Sequence, residues 1–123
     1  MYEIMVNRKF SAAHNLREYH GQCENLHGHN WKVEIIVRIK DLDQTGLALD
    51  FKFLKKSADE ILKGLDHQYL NELPYFQDLN PTSENIAKFI FNRLTNEFND
   101  EKIKVARVSI WESEDSCASY FEE

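Results

Sequence analysis

Proline and glycine are scarce in this chain, with two prolines and four glycines among 123 residues. That leaves no material for a flexible or polyproline linker, and no internal repeat or low-complexity tract appears. Residues 1–123 therefore read as one domain, long enough to bury a real core. Long apolar runs are missing too. The longest, around "VEIIVRI", is broken by Glu34 and Arg38, which excludes a bilayer-spanning helix. The opening "MYEIMVNRKF" lacks the charged-then-apolar order of a secretory leader, so a cytoplasmic protein without membrane partners is expected. Positive charge is not in excess: the formal net charge is −6. This argues against a nucleic-acid coat, which must neutralise phosphates, but leaves room for a small anionic ligand met by a few local lysines or arginines. Cysteine is nearly absent. Cys23 and Cys117 lie far apart in sequence and read as two thiols rather than a disulfide.

What the chain does have is alternation. Tyr2, Ile4, Val6, Phe10 and Ala12 share even parity with mostly polar residues between them, and His14 continues the row. That predicts a strand with one buried face. Trp31, Val33, Ile35, Val37 and Ile39 form a second, clearer row, which His27 and His29 extend. After the turn signal "DLDQTG" the period becomes helical, through Phe51, Leu54, Ala58, Ile61, Leu62 and Leu65. A second helix opens at "NPTSEN", with Asn80 or Thr82 as its cap and Pro81 near the first turn. Its stripe is Ile86, Phe89, Ile90, Leu94 and Phe98. Two strands follow, "KIKVARVSIWE" with Ala106, Val108 and Ile110 inward, and "CASYFEE". Cys117, near the start of the last strand, reads as a buried thiol acting as a small hydrophobe.

The order ββααββ predicts an α+β fold, a sheet with two helices on one face. Four strands leave two edges and a second face largely uncovered, so joining of sheets between subunits is expected.

Four of the five histidines fall within "FSAAHNLREYHGQCENLHGHNW". Side chains two apart on a strand point to one face, so His27 and His29 can meet one ion. Gly28 between them permits close backbone approach. His14 lies where an antiparallel partner could join them. Three neutral imidazoles suit Zn²⁺ and leave a fourth position open, the pattern of a catalytic zinc. Spacing alone keeps His20 as a rival ligand, and keeps a site made of Cys23, His27 and His29.

"FSAAHNL", "CENLHGH", "LDHQYLN", "PTSENIA" and "WESEDSCASYF" occur in that order from Phe10 to Tyr120. The set resembles the 6-pyruvoyl-tetrahydropterin synthase superfamily, most closely its bacterial 6-carboxy-5,6,7,8-tetrahydropterin synthase branch. The resemblance implies zinc on His14, His27 and His29, with Cys23 as the base that takes a proton from the substrate side chain. It implies that Asp66 and His67 assist proton transfer and that Glu112 anchors the pterin. Register supports an inward Glu112 independently, because it follows Val108 and Ile110 in parity. A carboxylate can accept two hydrogen bonds from a pterin's amino group and adjacent ring N–H. Thr82 and Ser83 match a block lining the pterin pocket, although both are equally good helix-capping residues.

By the same resemblance the fold is the tunnelling fold. Its ββααββ antiparallel subunits join sheets into a barrel, and two trimers stack into a homohexamer with active sites at subunit interfaces. The implied reaction is zinc-dependent conversion of 7,8-dihydroneopterin triphosphate to 6-carboxy-5,6,7,8-tetrahydropterin, with release of acetaldehyde and triphosphate, in queuosine biosynthesis. Glu24 stands at the position where a folate-linked branch uses a glutamate to form 6-hydroxymethyl-dihydropterin, so Cys23 and Glu24 together leave dual activity open. A 6-pyruvoyl product is the other alternative within the family. A reading of another class is a structural zinc module closed by Cys23 and three histidines. Arg8, Lys9 and Lys32 lie near the metal in sequence as possible triphosphate partners, without a choice among them.

Overall fold

The computed structural model describes residues 1–19 and 21–123; His20, the rival ligand, lies outside the described residues. The two alternating rows form long strands, β1 (Tyr2–His14) and β2 (His27–Ile39). They pair antiparallel in one unbroken register, from Tyr2 opposite Ile39 to His14 opposite His27. Even residues of β1 and odd residues of β2 thus share a face. Val6, Phe10, Ala12 and His14 are buried there with Trp31, Val33, Ile35, Val37 and Ile39. Tyr2, at the outer end of the row, is exposed, unlike the rest of its expected set.

β3 (Ile103–Trp111) pairs with β2, and β4 (Cys117–Tyr120) pairs with β3, giving the antiparallel order β1-β2-β3-β4. Between β2 and β3 run α1 (Phe51–Lys63), capped by the Asp50 carboxylate, and α2 (Ser83–Phe98), capped by the Thr82 hydroxyl. Each cap accepts a hydrogen bond from an otherwise orphaned first-turn N–H. Two 3₁₀ turns, Leu70–Glu72 and Pro74–Phe76, fill the interval between the helices. Leu54, Ala58, Ile61 and Leu62 of α1 and Ile86, Ala87, Ile90, Phe91 and Leu94 of α2 cover one face of the sheet. Phe91 takes the buried place in α2, while Phe89 and Phe98 are only partly buried. None of the described helices is long and apolar enough to cross a membrane.

Three expectations change. First, β3 carries a β-bulge. Arg107 pairs with Ile36 and Val105 with Val37, so Ala106 has no partner and is only half-buried. Val105 faces the core before the bulge and Val108 and Ile110 after it, so inward parity switches from odd to even at Ala106. Second, Cys117 is exposed rather than buried, because a four-residue edge strand has little to cover it. Third, Arg8, one of the three cations left without a choice, is already engaged by a carboxylate. It points toward α1 and makes a two-pronged pair with Asp59, at 2.7 and 2.9 Å.

β1 and β4 are the sheet edges. The site end of the β1 edge is closed by the chain after α1: His67 N–H donates to Ser11 O (2.6 Å) and Ala13 N–H to Gln68 O (3.0 Å).

Leu94 is fully buried under the sheet, whereas the Arg8–Asp59 pair is partly exposed. Leu94→Ala should lower stability by about 2–5 kcal/mol, and Asp59→Asn by less than about 1 kcal/mol. Equilibrium urea unfolding checks both; a Leu94→Ala midpoint equal to wild type would contradict this packing.

Candidate metal centre and active site

The register that sets His14 opposite His27 also sets Ala12 opposite His29. All three imidazoles therefore rise from the helix-covered face at one end of the sheet. His14 is buried and its Nδ1 donates to Pro81 O at 2.8 Å, just ahead of α2. His27 Nδ1 donates to Asn25 O at 2.8 Å. With both Nδ1–H groups committed to carbonyls, each ring presents an Nε2 lone pair. Those two Nε2 atoms face each other at 3.1 Å, an arrangement that a cation between them relieves. His29 Nε2 is buried and, among the described residues, has no hydrogen-bond partner. Burial lowers its pKa, an effect opposed by Glu112 and reinforced by His14 and His27, so the ring favours the neutral form that a metal requires.

Glu112 completes the group. Its Oε1 lies 3.4 Å from His14 Nε2 and 3.2 Å from His29 Nε2. An ion bound tetrahedrally at about 2.0–2.1 Å separates its ligand atoms by roughly 3.3–3.4 Å. The observed spacings are close to that edge length, and the four donor atoms together lie within 4.8 Å of one another. The donors fit a zinc-like ion. Trp31 forms the floor, edge-on to His14 and His29, with its indole N–H donating to Ala12 O at 3.2 Å.

Cys23 is not part of this donor group. It sits exposed in the connection between β1 and β2, beside Gln22, Glu24 and Asn25 around a hollow of about 430 Å³. Strand pairing thus brings His14, and not Cys23, to His27 among the described residues. The Glu24 carboxylate accepts from Leu16 N–H at 3.2 Å, while Glu24 N–H donates to Leu16 O at 2.8 Å. Its Oε1 lies 3.8 Å from His27 Nδ1. Glu24 therefore ties the two ends of the connection together beside His27.

Asp66 and His67 form a close pair, with Oδ2 and Nδ1 2.9 Å apart. Asp66 Oδ1 also accepts from Ser11 N–H at 2.8 Å. His67 has a left-handed backbone (φ 59°), a strained state for a non-glycine residue. Its ring is exposed and borders a hollow of about 490 Å³ together with Ser11, Ala13, Gly28, His29 and Asn30. Cys23 and His67 thus line different hollows, both next to the metal group. Thr82 and Ser83 are half-buried at the start of α2, directly after the carbonyl that holds His14. Lys32 lies over the Trp111 ring and 3.4 Å from Glu34, and Lys9 is exposed.

Sequence reasoning missed a polar buttress behind His14. Arg17 donates through its guanidinium to the carbonyls of Asn71, Phe76 and Leu79. Asn80 accepts from Arg17 N–H and donates to Arg17 O, at 2.8 and 3.0 Å. Asn71 pairs with the backbone of Asn15 in the same two-way fashion. These bonds fix the segment leading to Pro81, and so the orientation of the His14 ring. Their partners lie more than fifty residues away in irregular chain, where no periodicity could reveal them.

A tunnelling-fold topology carrying three histidines and one carboxylate that could hold a metal ion at the sheet end defines the class of protein. Comparison makes it specific. Residues 3–123 match the model of the 6-pyruvoyl tetrahydropterin synthase family, and the chain belongs to that family. A Haemophilus influenzae protein named 6-carboxy-5,6,7,8-tetrahydropterin synthase is 31% identical over 145 aligned positions, covering 99% of this chain and 100% of that one. Dihydroneopterin monophosphate aldolase of Pyrococcus furiosus is 37% identical, covering 89% and 88%. The structure of Caenorhabditis elegans 6-pyruvoyl tetrahydropterin synthase superposes with a TM-score of 0.82 at 26% identity, covering 100% of this chain and 98% of that one.

Two measurements test the site. His29→Ala should abolish stoichiometric divalent-metal binding while Cys23→Ala retains it, read by elemental analysis after gel filtration; metal loss in Cys23→Ala would reinstate the cysteine as a ligand. Asp66 is held below the usual carboxylate range, first by Ser11 N–H and then by His67. A depressed folded value contributes stability above the unfolded aspartate value, about 3.9, and the contribution is lost as pH falls through the folded value. Below about pH 4, wild-type urea midpoints should therefore fall more steeply than those of Asp66→Asn. Parallel slopes would remove the linkage.

Proposed function

We propose that residues 1–123 act as one domain that converts 7,8-dihydroneopterin triphosphate to 6-carboxy-5,6,7,8-tetrahydropterin with release of acetaldehyde and triphosphate, on the route to queuosine. The observation that carries the reading is the orphaned, buried Nε2 of His29 facing His14, His27 and Glu112 in a member of this family. Relatives named for the carboxy-tetrahydropterin reaction support the choice of product.

In this reading His14, His27 and His29 would hold Zn²⁺, which would supply Lewis acidity toward the substrate's side-chain hydroxyls. The carbonyls of Pro81 and Asn25 keep two of the imidazoles in the tautomer that offers Nε2. Cys23 acts as thiolate base on the substrate side chain. His67, oriented by Asp66, receives or returns the proton. Glu112 accepts the amino group and ring N–H of the pterin, and Thr82 and Ser83 line the pterin pocket. The placement of Cys23 and His67 at different hollows agrees with active sites completed between chains of a homohexamer, a dimer of trimers. The enzyme is cytoplasmic and handles a small pterin triphosphate without touching nucleic acid.

A second reading has specific support. Glu24 lies against His27, and one relative is named a dihydroneopterin monophosphate aldolase, so formation of a 6-hydroxymethyl-dihydropterin is the competing outcome. A closed structural zinc module with Cys23 as ligand is disfavoured by the exposed position of that thiol outside the donor group.

Mass spectrometry of products from dihydroneopterin triphosphate separates carboxy-, pyruvoyl- and hydroxymethyl-pterins in one run. The carboxy product is expected, with turnover in Cys23→Ala reduced about 10²–10⁴-fold at unchanged metal content. No turnover of any pterin would sink the reading.

A further inference from the structure

One hollow in the helical layer takes no part in the candidate active site. It has a volume of about 330 Å³ and lies between the last turn of α1, the second 3₁₀ turn and the middle of α2. None of the residues around it lines either hollow beside the histidines. Leu73, Tyr75, Phe76 and Phe89 form apolar walls, and the charged groups at its lining are Glu60 and Arg93.

We propose that this hollow is a second ligand site, which takes a planar aromatic ring bearing a negatively charged substituent. The proposal is independent of the pterin chemistry at the histidines.

Size, walls and charge each carry part of the argument. A space of about 330 Å³ falls at the small end of small-molecule sites and suits one ring system with its substituent. A partner helix, about 10 Å across, is too wide to enter it. The Tyr75 ring lies 4.7 Å from Phe89 at 56° and 5.0 Å from Phe76 at 82°. Rings set at such angles present edges as well as faces, so an added ring extends the same tilted packing. Phe76 is fully buried and anchors that wall, while Tyr75 and Phe89 are only partly covered and leave ring surface open.

The charge is placed by the same rings. Arg93 holds its guanidinium over Phe89, 5.6 Å from the ring centre, a cation–π arrangement. Among the described residues no carboxylate pairs with it. Glu97, one turn along α2, accepts instead from the Ser57 hydroxyl at 2.6 Å. Glu60 lies 3.4 Å from Lys63 Nζ, so its own charge is offset by a neighbour on α1. The guanidinium is therefore the group left to be answered, and its planar fork matches a carboxylate or phosphate.

The test uses the full-length protein incubated with Zn²⁺, with 2-naphthoate as probe and 2-naphthamide as its uncharged counterpart. Calorimetry measures binding, and NMR shifts of the aromatic and histidine rings locate it. Naphthoate should bind at least about tenfold more tightly than naphthamide, with the largest shifts at Tyr75 and Phe89. Arg93→Gln lies on the exposed side of α2, and circular dichroism confirms its fold. It should weaken naphthoate about tenfold, the size of one charge-assisted hydrogen bond, and leave naphthamide unchanged. Arg93→Lys should recover part of the loss. Absence of naphthoate binding, equal affinity for the two compounds, or undiminished binding in Arg93→Gln would each overturn the proposal. So would shifts centred on His14, His27 and His29, which would place the probe at the histidine cluster instead.

Discussion

The unbroken pairing of β1 with β2 is the constraint on which the rest depends. Side chains alternate with a period of two, so a slip of one residue would turn every histidine to the opposite face. Thirteen pairs from Tyr2–Ile39 to His14–His27 hold that register; seven of them face the helices, and six of those seven include an apolar residue. Slipping would expose Trp31, Val33, Ile35 and Val37 together, which is far more costly than any strain at the metal group. The energetics of the core thus fix the geometry of the histidine cluster.

The second support is the polar stitching of Asn15, Arg17, Asn71 and Asn80. It joins the connection after β1 to the chain before α2, two irregular segments that periodic structure leaves undefined. Half-buried polar groups that satisfy one another cost little, and each bond lost would leave a carbonyl or amide without a partner. The product of that stitching is a Pro81 carbonyl at a fixed place, and through it a fixed tautomer of His14. Asp66 plays a comparable part on the other side, capping the β1 edge at Ser11 while presenting His67.

Much of this was legible in the residues. Both long strands, the start of α1 and the Thr82 cap follow from strong alternation and from a capping hydroxyl ahead of an apolar stripe. The three histidines were legible as a group because they extend those rows. What was not legible depended on pairing between distant segments. The bulge at Ala106 lies in "KVARVSI", where a small alanine fits either phase and only the register against β2 decides. The choice between His14 and Cys23 needed the strand pairing. Arg17 and the asparagines have partners that no local pattern names. Glu112 read as an anchor for an organic ring, because its closeness to His14 and His29 appears only once β3 is laid against β2.

The bulge at Ala106 divides β3 into two stretches with opposite phase. A length change before Val105 moves the connection from α2 but leaves the upper stretch aligned to Trp31 and the histidines. A length change between Ala106 and Glu112 inverts which side of the sheet carries the carboxylate. The strand therefore behaves as a coupling with one slack link. Below it, a change in length is absorbed as the helices repack, and above it any displacement carries the Glu112 carboxylate away from the histidines.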